Sequence, residues 1–346
     1  MKEEIQFILD VSERIFAKNI DHKTRLDPEK NHDTLIKEIR ESHLTKIAVK
    51  EKLGGAGMNL VEIIPLIKLS AFFGVPIPFV ETIICNYFFS VFDTKPTDDF
   101  ISICYEENGV IIKDNRVSGL LKSIPYLNFT NKVMAKVRYN DDDYLIFFEN
   151  KNSYLKQIHN FLAEPRYDLE VKNENILFKE KFPKEMNFLN ILANLKSIQA
   201  TGAMEKILQL CIDYCSNRKQ FGRSLSKFQM IQNHISEISL EIAASGASIS
   251  VLESSNNIET NRDENFSNDI KTAIAKIRTG MASGKVIALS HQVHGAMGFT
   301  KEYDLSYFTK NLNSWRNDFG TEIQWQNSLG NYFLKQNKNL WEFLNH

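Results

Sequence analysis

Hydrophobic spacing in this chain changes character twice, near Phe100 and after Pro183, and these changes constrain the fold more than any single motif. Before Phe100 the apolar residues recur at intervals of three and four. Ile5, Ile8, Val11, Ile15 and Phe16 in IQFILDVSERIFAKNI form one helical face, and DTLIKEIRESHL repeats the habit. Gly54, Gly55 and Gly57 predict a loop, and Asn59 with Glu62 predicts a capping box opening the next helix. From Phe100 the runs FISICYEE, GVIIKDNRVSGLL, KVMAKVRYN, DYLIFFEN and NILFKEKF are short and β-branched or apolar, with Asn, Asp and Gly between them. They predict a small all-β domain. After Pro183 helical spacing returns. FLNILANLKSIQATGAMEKILQLCIDYCSN predicts one long helix, and Phe228, Ile231, Ile235, Ile238 and Ile242 mark a second. IKTAIAKIRTGMASGKVIALSHQVHGAMG predicts a third, rich in small residues that allow close helix approach. The expectation is an α+β chain with helices over 1–97, strands over 98–184 and a helical bundle over 185–346.

Composition excludes more than it selects. The 346 residues carry 42 basic and 43 acidic side chains, a net charge of −1. That balance gives no electrostatic case for nucleic acid or an anionic membrane. No run reaches the roughly 18 uncharged apolar residues of a membrane span, so none is expected. MKEEIQFILD has early acids and no apolar core, so no signal peptide is expected. Cys85, Cys104, Cys211 and Cys215 form no CxxC pair; Cys211 and Cys215 fit an apolar helical stripe. A reducing, cytoplasmic setting is the expectation.

WRNDFGTEIQW contains Asp318-Phe319-Gly320, the metal-binding triplet of protein kinases. No HRD catalytic loop precedes it, and too little chain follows to build a kinase lobe. GGAGMNL lacks a preceding strand and matches no nucleotide loop. His291 and His294 have no carboxylate or cysteine to complete a metal set, so no metal site is expected. Two stretches remain. CSNRKQFGRSLSKFQMIQNHISEI and HQVHGAMGFTKEYDL each place an Arg or Gln beside exposed backbone near a helix end. Such parts can hold a phosphate or a ring edge; they serve equally as caps and turns.

Together these stretches resemble the acyl-CoA dehydrogenase family. The residues carrying the resemblance are Tyr214, Arg218, Phe221, Gly222, Leu225, Phe228 and Gln229. A second set is Gln292, Val293, Gly295, Ala296, Gly298, Phe299, Thr300, Glu302, Tyr303 and Leu305. Gly320-Thr321 follows, and EKLGGAGMNLVEI and VPIPFVET look like N-terminal family segments. The resemblance implies an N-terminal helical domain, a middle β domain and a C-terminal four-helix bundle. It implies an oxidoreductase of fatty acid metabolism, an oligomer built through that bundle, and FAD shared across a subunit interface. Arg218, Phe221, Gln229, Gln292, Gly295, Ala296, Gly320 and Thr321 are then the cofactor-binding candidates. The substrate would be an acyl-CoA thioester, and the electron acceptor an electron-transfer flavoprotein.

The departures matter as much. Where the family most often has its catalytic glutamate, before Gly-Thr, this chain has Phe319. Some members carry the base on the first long C-terminal helix; the matching positions here are Leu192 and Ala193. Neither can take a proton. The family's flavin-contacting loop is replaced by CYEENG, and its Trp-x-Ser/Thr by KSIPYL. These losses fall on the half-site a chain makes for its own FAD; the retained residues fall on the half it lends. Asp318 is the remaining candidate base, with Glu322 nearby. Three readings stay open: a dehydrogenase with a relocated base, a silent subunit completing a partner's FAD site, and a flavin-dependent monooxygenase or other reaction on the same fold.

Overall fold

The computed structural model describes residues 2–26, 32–105, 109–151, 153–158, 163–253 and 268–335. The chain divides into two compact units, Met1–Met186 and Asn187–His346. It has N-terminal helices, a middle sheet and C-terminal helices, an α+β architecture.

The first unit opens with α1 (Lys2–Asn19), α2 (His22–Leu26) and α3 (Asp33–Glu41). The capping box forms: Glu62 Oε2 accepts from Asn59 N–H at 2.8 Å, and Asn59 Oδ1 accepts from Glu62 N–H at 3.0 Å. The box closes a turn, and α4 (Ile64–Phe73) starts beyond it with a proline in its first turn. A proline has no N–H to leave unpaired at that position. In the glycine loop, Gly57 N–H donates to Val49 O at 2.7 Å, and Gly57 has φ 72°. Helix α5 (Phe79–Val91) is buried on every face from Phe79 to Ser90. Its polar residues are satisfied inside: Asn86 donates to Thr45 O and Thr97 O and accepts from Thr97 N–H. Phe89 meets Phe147 and Phe178 edge-on, both at 5.2 Å, so helix and sheet share one core.

That sheet has seven strands: β1 (Ser102–Tyr105), β2 (Val110–Lys113), β3 (Arg116–Pro125), β4 (Lys132–Tyr139), β5 (Asp142–Glu149), β6 (Tyr154–Ile158) and β7 (Arg166–Lys181). The order is β1-β4-β5-β7-β3-β2, with β6 on β7; among the described strands only β1 and β4 run parallel. Asp114-Asn115 and Asn140-Asp141 sit at φ 50° to 62° and join β2 to β3 and β4 to β5. Two-residue hairpins need that left-handed backbone, which Asn and Asp tolerate best. Strand β6 was not expected, because YLKQI is exposed nearly throughout and shows no alternation. Of CYEENG, residues 106–108 lie outside the described residues.

The second unit is built on three long helices: α6 (Phe188–Asn217), α7 (Gln229–Glu253) and α8 (Asn268–His294). The shorter α9 (Leu305–Trp315) packs on α6 and α8, and α10 (Glu322–Lys335) packs on α8. Asn187 caps α6 by accepting from Asn190 N–H. By length and composition α7 is apolar enough over Gln229–Leu252 to cross a membrane, which the sequence reading did not flag. Its glutamates face α8: Lys285 lies 3.2 Å from both Glu237 and Glu241, and Arg278 also pairs with Glu241. All four cysteines are buried and unbridged; burial pushes the Cys211 thiol well up.

Candidate functional site

The first retained stretch is a reverse turn between α6 and α7. Helix α6 ends at Asn217, and Arg218 caps it, its N–H donating to Tyr214 O at 2.9 Å. The strands β8 (Lys219–Gln220) and β9 (Arg223–Ser224) form a hairpin whose turn is Phe221-Gly222, at φ 50° and 77°. The Arg223 guanidinium sits 4.1 Å over the Phe228 ring, which steadies the turn's base. The result is presentation: Phe221 is 92% exposed, and Arg218 and Gln229 are exposed as well.

The second retained stretch ends α8. His294 closes the helix, Gly295 turns at φ 57°, and a 3-10 turn runs over Gly295–Phe299. Gly298 is required by packing, since a Cβ there would lie 2.9 Å from Leu305 Cδ2 and 3.0 Å from His291 Nδ1. Gln292, Gly295 and Ala296 are exposed, and Phe299 is 71% exposed while stacked on His291 at 4.2 Å.

The fold brings the two stretches together. Tyr214 stacks on His294 with ring centroids 4.5 Å apart. Tyr303 O–H donates to Leu210 O and lies 3.3 Å from His294 Nε2. Burial holds both His294 and His291 below the usual imidazole range. Six of the eight cofactor candidates therefore lie exposed at two helix ends joined through the buried His294.

Gly320 and Thr321 belong to a different place, the loop from α9 to α10. Thr321 opens α10 through a reciprocal cap: its N–H donates to Gln324 Oε1 at 2.8 Å, and Gln324 N–H donates to Thr321 Oγ1. Arg316 bonds Glu322 through two nitrogens, at 2.7 and 3.0 Å. That pair lies on Gly280 and Gly284 of α8, where a Cβ would meet Glu322 at 2.4 Å or Arg316 at 3.0 Å.

Phe319 is bent into left-handed backbone at φ 56°, and its side chain enters an apolar cluster with Ala193, Ala273, Trp325, Leu189, Ile277 and Leu329. Position 319 thus shares one apolar slot with Ala193, one of the two α6 positions to which the resemblance points; the other, Leu192, is buried outside that cluster. Phenylalanine and alanine fill the slot. Asp318 is half-buried on the turn beside it, its N–H donating to Ser314 O at 3.1 Å. Its charge acts on Lys276 of α8, a lysine only 2% exposed. Sequence reasoning missed Lys276 and the equally buried Lys196 of α6. The signal was present, as each is a cation at an apolar helical position.

A cleft of about 560 Å³ lies between α1 and the glycine loop, with Glu3, Glu4 and Glu51 at its walls. It is lined only by residues of the first unit and includes no cofactor candidate.

Residues 184–326 match the family model for the acyl-CoA dehydrogenase C-terminal domain. A glutaryl-CoA dehydrogenase of Desulfococcus multivorans is 28% identical over 143 residues, 41% of this chain and 36% of that protein. The match thus spans about a third of that relative's length. Among solved structures, a variant of the Tcur3481-Tcur3483 steroid ACAD superposes with TM-score 0.82 at 17% identity, over 96% of this chain and 98% of its own. The ChsE4-ChsE5 complex from Mycobacterium tuberculosis gives TM-score 0.80 at 13% identity, over 98% of this chain and 99% of its own. The fold matches along nearly the whole chain, and residues 184–326, the stretch that carries both motifs, are similar in sequence to the acyl-CoA dehydrogenase C-terminal domain.

Proposed function

We propose that this chain is an acyl-CoA dehydrogenase-type subunit without a base of its own, which completes the FAD site of a partner chain. The observation that carries the reading is the filled slot: Phe319 stands where the resemblance places a glutamate and packs against Ala193, and neither α6 position that the resemblance points to, Leu192 or Ala193, carries a carboxylate. The lent half of a flavin site fits the residues present. Arg218 offers a guanidinium for phosphate oxygens, Gln229 an amide, and Gly295 an open backbone with nothing within 4 Å of its Cβ position. Gln292, Ala296 and the exposed Phe221 border the same turns. FAD held there would supply a hydride acceptor for the β-carbon of an acyl-CoA thioester, and the α-proton would go to a carboxylate of the partner. The functional domains in this reading are 1–97, 98–184 and 185–346, with the last forming the oligomer. Electrons would leave to an electron-transfer flavoprotein.

The test is a flavin spectrum. The chain purified alone is expected to be colourless, and to acquire FAD when co-expressed with a homologous chain. Anaerobic short- and long-chain acyl-CoAs are expected to bleach the flavin of that complex. Flavin on the isolated chain that acyl-CoA bleaches would overturn the reading in favour of a relocated base. Flavin that consumes oxygen without dehydrogenating acyl-CoA would overturn it in favour of an oxygenase.

A further inference from the structure

Two lysines of the second unit end on one residue. Lys276 of α8, 2% exposed, donates its ammonium to the Trp315 carbonyl at 2.5 Å. Lys196 of α6, 4% exposed, places its ammonium 5.5 Å over the Trp315 ring. Trp315 is the last residue of α9 and directly precedes the loop that carries Asp318 and Phe319. A helix C-terminus is the negative end of its dipole, and its last carbonyls lack helical partners. Two cations from two neighbouring helices therefore grip the point where the loop begins.

Burying an ammonium is expensive, and a methionine would fill similar volume without that cost. The charged groups facing Lys276 are Lys196 from α6, Asp318 from the loop and Glu322 from α10. Of the two carboxylates, Asp318 opposes the fall of the lysine more strongly than Glu322, which is bonded twice to Arg316. We propose that Lys276, seconded by Lys196, is the positioning residue of the 315–321 loop, with Asp318 as its counter-ion and not a proton acceptor for substrate. Burial pushes Lys276 down to about 8, with Asp318 acting against that fall and Lys196 adding to it. The inference lies wholly within residues 187–346. It does not depend on the partner reading, and its failure would leave that reading intact.

The experiment uses the full chain with isotope-labelled lysine. One lysine side-chain resonance is expected to titrate near pH 8 and to vanish in Lys276→Arg, which assigns it. Asp318→Asn should lower that midpoint by about one pH unit, the usual effect of removing a close opposite charge. A merely structural Asp318 would leave it unmoved. Amide exchange should speed about tenfold at residues 316–320 in Lys276→Met while amides in the middle of α6 hold, a change corresponding to about 1.4 kcal/mol of local opening. Lys276→Arg should restore part of that protection. A midpoint unchanged by Asp318→Asn, or loop exchange unchanged by Lys276→Met, would overturn the proposal. If Lys276→Met does not fold, the Asp318→Asn midpoint decides alone.

Discussion

The indole Nε1 of Trp325 donates a 3.1 Å hydrogen bond to the carbonyl of Phe319, so the residue in the base position is held through its backbone by the helix that follows. Gly320 makes this approach possible, because a Cβ there would stand 2.5 Å from the same Nε1. Trp325→Phe keeps the ring packing and loses the bond. It should cost about 1 kcal/mol in urea unfolding, the net value of one such bond.

Phe319→Glu tests whether the slot can still hold a base. The new carboxylate would enter a cluster made of Leu189, Ala193, Ala273, Ile277 and Trp325. Burial raises a carboxyl's pKa, so the folded state would bind its proton more tightly than the unfolded state. The loss should be about 3 kcal/mol at pH 7 and should shrink as pH falls toward 5. Denaturant unfolding at the two pH values measures this.

Lys276 gives a second pH signature, of opposite direction. Its folded pKa of about 8 lies below its ordinary value of 10.5. Between those values the unfolded chain binds the proton and the folded chain does not. The burden is therefore full below pH 8 and is relieved as pH rises toward 10.5. Relative to Lys276→Met, the wild-type chain should gain roughly 3 kcal/mol of stability between pH 7 and pH 10.5. Paired denaturation curves across that range check the sign.

Gly55→Ala should damage the first unit selectively. The added Cβ would stand 2.2 Å from Val49 O and 2.5 Å from Lys46 O, both backbone atoms that cannot turn aside. A loss of about 3 kcal/mol is expected, at the upper end for overpacking. Amide exchange resolved by segment should place the loss in residues 1–186 and spare α7 and α8.

Arg218→Ala separates lending from folding. Arg218 is exposed, and its structural bond at the helix end comes from its backbone N–H. The melting temperature should hold, with stability changed by less than about 0.5 kcal/mol. FAD content of the complex with a partner chain should fall by tenfold or more, read from the flavin absorbance per protein. A complex that keeps its flavin would remove Arg218 from the site.

Sequence by itself determined the order of helices, strands and helices, because each element carries its own periodicity. The Phe188–Asn217 helix was readable to the residue, bounded by an asparagine cap and the glycine turn. The exposed turns with Arg218, Gln229 and Gly295 were readable too, since local spacing builds them. Strand β6 was not, because its pairing with β7 leaves its side chains to solvent on a non-alternating stretch. Only the tertiary structure decided what surrounds position 319. Ala193, Ala273, Phe319 and Trp325 are scattered over more than a hundred residues, and the lysines that grip Trp315 come from two other helices. Such a slot is a property of helix packing, in which residues distant in the chain exclude water together. No local pattern records it.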